Sequence, residues 1–183
     1  MRRIITMFTL AAALAAVLVM SAIPAIAASP HFKNGGTPVC TVTSGGTTAS
    51  ASCTGSLAGL GNGDVTINTT LQGFAVYQCQ NQGGNTAPGQ NKVLEGPTTT
   101  PTTIPAGDIK NGNLTYTAGG SLTAANTVSG AAAGCPNGNW TGVNPTLTVT
   151  SISETISQGG VTLFTCSASN PNGVSGSVPL TCV

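Results

Sequence analysis

The residues able to do chemistry in this 183-residue chain are few: six cysteines, one histidine, four carboxylates and a single tryptophan. A serine triad needs an imidazole to take the nucleophile's proton. His31 is the only histidine, it lies in the N-terminal part of the chain, and no G-x-S-x-G elbow accompanies it. A glycosidase needs two carboxyl groups about 5 to 10 Å apart. Asp64, Glu95, Asp108 and Glu154 each stand beside turn or strand-end signals and no local pattern groups two of them, so all four are expected to be solvated. A calcium loop would show a D-x-D-x-D run, and a zinc site C-x-x-C pairs. Neither pattern occurs, and the chain is read as a non-enzyme with no catalytic residue, metal site or cofactor.

The cysteines carry the stronger signal. Cys40, Cys53, Cys79, Cys135, Cys166 and Cys182 form an even set, which in an oxidising compartment reads as three disulfides. Six cysteines allow 15 connectivities. Cys40 and Cys53 flank Ser44-Gly45-Gly46, a hairpin turn signal, and Cys166 and Cys182 flank Asn170-Pro171-Asn172-Gly173 in a similar way. Two stapled hairpins leave Cys79 to pair with Cys135. The preferred connectivity is therefore 40–53, 79–135 and 166–182.

Compartment and charge agree with that chemistry. Met1-Arg2-Arg3 is a basic n-region, Ile4 to Met20 is almost wholly apolar, and Pro24 precedes Ala25-Ile26-Ala27-Ala28. Residues 1–27 thus read as a signal peptide cleaved after Ala27, and the protein is expected to be secreted, either free or held at the cell surface. The remaining 156 residues carry Lys33, Lys92 and Lys110 against the four carboxylates, a formal net charge of −1. Three scattered lysines cannot neutralise a run of phosphates, so nucleic acid is not an expected partner. No second long apolar run would hold the mature protein in a membrane.

Thr, Ser, Asn, Gly and Val dominate the mature part, a composition that favours strands over helices because branching at Cβ suits a pleated surface. Alternating runs separated by Gly or Pro predict strands at 38–43, 48–55, 64–71, 73–81, 92–96, 113–118, 145–152, 160–169 and 177–183. Val65-x-Ile67-x-Thr69-x-Leu71 is the clearest. About nine such strands predict an all-β fold, a disulfide-stapled immunoglobulin-like or Greek-key β-sandwich. Two stretches break the pattern. Residues 82–107 read as a polar loop followed by a Thr/Pro linker, and 119–138 as a Gly/Ala/Ser/Asn segment. A disulfide spanning both favours one domain over residues 28–183.

Aromatic side chains offer the remaining candidate site. Tyr77-x-Cys79 and Phe164-x-Cys166 put a ring on the same strand face as a cysteine, which is core packing. Trp140 lies among amides, and is either a lid over one end of the core or a ligand platform. Trp140, Asn139, Gln80 and Asn81 would together suit a neutral polar ligand such as a sugar. Three N-x-T triplets, at Asn68, Asn113 and Asn139, match the glycosylation sequon, a short pattern expected to be silent behind a bacterial-style signal, and Thr98–Thr103 could accept O-linked sugars on composition alone.

Gly73–Cys79 and Val161–Asn170 resemble the aromatic-x-Cys strands of immunoglobulin-like domains. Leu57–Asp64, Gln80–Gln90 and Gly134–Trp140 resemble segments of small secreted β-sandwich proteins of actinobacterial type, a group with no assigned activity. That resemblance implies a sandwich and secretion and carries over no catalytic residue. The neocarzinostatin-like chromophore-binding apoproteins are similar in sandwich type, secretion and low charge, with different cysteine spacings. The expected function is a secreted, non-enzymatic structural, cell-surface or interaction module, with an envelope protein or glycan as partner. Self-association is also conceivable, since so few charges leave edge strands poorly guarded. The alternatives are a small-ligand or glycan-binding domain at Trp140, and a protease inhibitor using loop 82–91.

Overall fold

The computed structural model describes residues 29–183; the signal segment lies outside them. In chain order the strands are β1 (His31–Phe32), β2 (Val39–Thr43), β3 (Thr48–Ala58), β4 (Val65–Gln80), β5 (Thr86–Ile104), β6 (Leu114–Thr123) and β7 (Val128–Ser129). A one-turn helix α1 (Gly130–Ala133) follows, then β8 (Thr141–Gln158), β9 (Val161–Ser169), β10 (Gly176–Pro179) and β11 (Thr181–Cys182). They form two antiparallel sheets. In sheet A, β3 lies between β6 on one side and β2 with β1 on the other, and β10 extends it beyond β2. In sheet B, β4 lies between β5 and β8, and β9, β7 and β11 continue past β8. The architecture is the expected disulfide-stapled all-β sandwich, with eleven strands rather than nine.

Period-two burial along β4 explains how the sheets meet. Val65, Ile67, Thr69, Leu71, Gly73, Ala75, Tyr77 and Cys79 are buried, while the even-numbered residues between them face outward. Across the interior, sheet A presents Ala49, Ala51, Cys53, Leu57, Leu114, Tyr116, Ala118 and Leu122. Small alanines on one sheet opposite larger aliphatic side chains on the other let the inner faces interdigitate at close-packed density. Gly55 completes the fit, since a Cβ there would lie 2.6 Å from the Tyr116 ring.

Several expected boundaries move, each for a physical reason. The segments 64–71 and 73–81 are one strand. Gly73 sits at a register shift against both neighbours, where a Cβ would strike the Thr148 carbonyl, so the irregularity bends β4 without ending it. The larger correction is at 82–107. Asn81–Asn85 is a tight turn, with Asn81 Oδ1 accepting from the Gly83 and Asn85 amides, and Thr86–Ile104 is a single 19-residue edge strand. Thr98 to Thr103 pair in register with Leu71 to Thr66 instead of forming a linker. Threonine suits a strand, and proline is tolerated where only one side of the strand is bonded. Pro88, Pro97 and Pro101 therefore interrupt the open edge of β5, removing donors a second strand would need. In the stretch 119–138, β6 runs on to Thr123, and Ser129 caps α1 through its hydroxyl.

The three disulfides are Cys40–Cys53, Cys79–Cys135 and Cys166–Cys182. Cys40 and Cys53 are register partners in a β2–β3 hairpin. Cys166 and Cys182 are register partners as well, but not in the expected hairpin. After β9 the chain crosses to sheet A as β10, pairs with β2, and returns past buried Leu180 to sheet B as β11. Cys79–Cys135 ties β4 to the turn after α1.

Loop closure ranks these bridges. On the chain-entropy relation the 79–135 link contributes about 4 kcal/mol and each shorter one about 3. Removing Cys79–Cys135 as a double serine variant should therefore lower the denaturation midpoint most, as chemical unfolding followed by fluorescence will show. A smaller loss than for the 40–53 pair would contradict the ranking.

Candidate functional site

Polar chemistry is concentrated in a buried pair between the sheets and on the two outer faces, where sheet A carries bonded hydroxyl pairs at Thr43–Ser50 and Ser56–Thr115 and sheet B the longest registered rows. The buried pair starts from alternation. Ile152-x-Glu154-x-Ile156 puts Glu154 on the apolar face of β8, and Leu114-x-Tyr116-x-Ala118 does the same for Tyr116 on β6. Glu154 is fully buried, and its Oε2 accepts a hydrogen bond from the Tyr116 hydroxyl at 3.0 Å. The expectation that all four carboxylates would be solvated is thus overturned for Glu154, which lies mid-strand in the interior. Its register partners are Thr69 on one side and Cys166 on the other. Neither Glu154 Oε1 nor Thr69 Oγ1 has a hydrogen-bond partner among the described residues. Burial pushes the Glu154 carboxyl above the usual carboxylate range, partly offset by the Tyr116 bond. Burial also raises the Tyr116 hydroxyl, with the neighbouring carboxylate adding to the effect.

A second tyrosine–glutamate contact lies further along β4, in the other core cluster. Tyr77 donates to the Ala125 carbonyl at 2.9 Å, and Glu95 Oε1 is 3.4 Å from the same hydroxyl. Burial, and then Glu95, raises the Tyr77 hydroxyl. The two glutamates are held by different tyrosines, and no pair of carboxylates is brought together by these contacts. Among the described residues no group of three His, Cys, Asp or Glu is placed to hold a metal ion, and no helix is long and apolar enough to cross a membrane.

The outer face of sheet B follows from the same period of two. Because β4 buries its odd-numbered residues, Asn68, Thr70 and Gln72 face away from the core. The register then sets rows running across the sheet. Thr99, Thr70, Ser153, Ser167 and Thr181 make the longest. Asn68, Thr155 and Thr165 form the row on one side of it, and Gln72, Ser151 and Ser169 the row on the other. Thr70 and Thr99 hydroxyls are hydrogen-bonded at 2.8 Å. Toward the other end of β4 the face becomes apolar, with Phe74 and Val76 beside Leu94, which is 77 % exposed. Lys92 places its ammonium 4.1 Å from the Phe74 ring centre.

The four residues considered as a ligand platform have the following places. Trp140 is half-buried against the main hydrophobic cluster. Asn139 donates its amide to the Asn137 side chain, Gln80 pairs with Thr141 and Thr86, and Asn81 is used in the turn after β4. A cleft of about 430 Å³ lies further along the sheet, between Val76, Gln78, Pro88, Asn144 and Thr146. The left-handed Asn144 donates to the Gln78 side chain at 3.1 Å at its rim. A second cleft of about 480 Å³ lies on sheet A beside Lys33, Thr54, Ser56 and Thr115. Trp140, Asn139, Gln80 and Asn81 line neither. His31 is at the start of the described chain and bonds the Ser29 carbonyl.

The fold defines an all-β, disulfide-stapled sandwich with hydroxyl-rich outer faces on both sheets. Thr43, Ser50 and Ser121, and Ser177, Thr41 and Ser52, align in rows on sheet A, while sheet B carries the longer five-residue row and the exposed apolar Leu94 at its border. Comparison with protein-family models, curated proteins and solved structures found no significant match.

Glu154 gives the stability a pH dependence of definite sign. Its folded carboxyl holds the proton more tightly than in the unfolded chain, so stability is greatest below the unfolded value and falls as pH rises through the ordinary carboxylate range toward the raised value. Glu154→Gln keeps an acceptor for Tyr116 and removes the titration. Its melting temperature should exceed that of wild type by a few degrees at neutral pH, with the difference shrinking in acid; parallel pH profiles would refute this. Tyr116→Phe should instead cost about 1 to 3 kcal/mol, because it strands the buried carboxyl.

Proposed function

We propose that this protein is a secreted, non-enzymatic structural or interaction module of the cell surface or extracellular space, and that it works through contacts made by the outer face of sheet B. The observation that carries it is that face: three rows of neutral hydroxyl and amide side chains on four long, mutually registered strands. Such a surface binds by area and by many weak hydrogen bonds. An immunoglobulin-like arrangement of the sandwich belongs to the same proposal.

The disulfides support the compartment. All six cysteines are paired, which suits an oxidising extracellular setting and not a reducing cytosol. Residues 1–27 supply the export signal in this account. The alternative of a small-ligand or glycan domain gains support from the Val76–Thr146 cleft, whose amides Gln78 and Asn144 could orient a neutral ligand over an apolar floor. The third possibility, a protease inhibitor, would present residues 82–91, which here form a turn and the start of β5.

Cell fractionation of the producing organism tests the proposal. The protein is expected in the medium or on the envelope, beginning at Ala28 and without free thiol. Recovery of an uncleaved, reduced form from the cytosol would overturn it.

A further inference from the structure

We infer that the outer face of sheet B is a binding surface for a neutral polysaccharide chain lying across its strands, an inference that rests on the surface-module proposal above. Charge makes the first selection. The three hydroxyl rows contain no ionisable side chain, so a polyanion or polycation finds no complement there. Lys92, beyond the rows, has its ammonium over the Phe74 ring.

Hydrogen-bond chemistry makes the second. Thr and Ser hydroxyls and Asn and Gln amides each donate and accept, as sugar hydroxyls do. The threonines among them are also held in place: β-branched side chains are stiff at χ1, and Thr70 and Thr99 are bonded to one another, so these groups lose little freedom on binding. At the border of the rows the exposed Leu94 gives an apolar contact for the C–H face of a sugar ring, while the neighbouring Phe74 ring is covered by Lys92.

Spacing and shape make the third. Neighbouring strands stand about 4.8 Å apart, so the five-residue row spans roughly 19 Å and offers one polar group per step, a repeat comparable to a single hexose unit. Each strand is rotated by roughly 20 to 25° from the last. A glycan chain with rotatable linkages can follow that twist; a planar lattice such as an ice surface cannot.

The test uses the oxidised, full-length mature protein with soluble cello-oligosaccharides, chito-oligosaccharides, a soluble β-1,3-glucan and dextran as probes. Its variant is Thr70→Val/Thr155→Val/Thr165→Val, which keeps shape and β-branching while removing three central hydroxyls. Thr117→Val, exposed on sheet A, is the control. The wild type should bind at least one neutral probe with little dependence on salt, the triple variant should bind about tenfold more weakly, and the control should match wild type. Circular dichroism confirms that each variant is folded. Binding of no neutral probe, unchanged binding by the triple variant, binding of heparin alone, or incorporation into ice alone would each overturn the inference. The same proteins applied to isolated envelopes separate the two levels. Equal retention of wild type and triple variant overturns the polysaccharide surface and leaves a secreted module acting through another surface, whereas recovery of the protein reduced and uncleaved from the cytosol overturns both.

Discussion

Strand β4 is pinned on both sides along almost its whole length, and its period of two decides what every other element shows to the core and to solvent. Because β5 and β8 pair with it in fixed register, a shift of one residue would expose Val65, Ile67, Leu71 and Tyr77 and bury Asn68, Thr70 and Gln72. The apolar set therefore fixes the register, and the register in turn lines up hydroxyls from strands distant in sequence. The outer face follows from the packing of the inner one.

Stability in this molecule has few charges to draw on, and the one placed deepest works against it at neutral pH. Glu154 sits where Ile or Val would pack, held by Tyr116 alone. The disulfides compensate through the unfolded state. Two join register partners within a sheet, and the third anchors β4 to the α1 turn. Contact between the sheets is left to side-chain packing and to a few hydrogen bonds: Tyr116 to Glu154, Tyr77 to the Ala125 carbonyl just past β6, and the Leu147 amide of β8 to the Gly46 carbonyl in the β2–β3 turn.

The all-β class and the Cys40–Cys53 pairing were legible because alternation and a hairpin turn signal are local. Cys166 and Cys182 pair as expected, but across a crossing between sheets and not in the hairpin that the turn signal suggested. Residues 82–107 were not legible, because Pro and Thr in a polar stretch look like a linker until the pairing with β4 is known. The crossing at Leu180 was hidden for the same reason, since only long-range partners reveal that β10 and β11 belong to different sheets. Glu154 could have been found: Ile152-x-Glu154-x-Ile156 is an apolar alternation with a carboxylate in its middle, and the turn signals nearby outweighed it. The hydroxyl face was partly legible as Thr and Ser composition, but its rows exist only in the register.

A function carried by a face rather than a pocket leaves a distinctive footprint, spread over several strands and confined to one side of one sheet. Threonine γ-methyl NMR reads that directly, because both sheets carry exposed threonines. Titration with a neutral oligosaccharide that the protein binds should shift Thr70, Thr99, Thr155 and Thr165 together while leaving Thr54 and Thr117 on sheet A unmoved. Shifts confined to Thr86 and Thr141, at the Gln80 and Trp140 end, or to the sheet A threonines, would contradict the account.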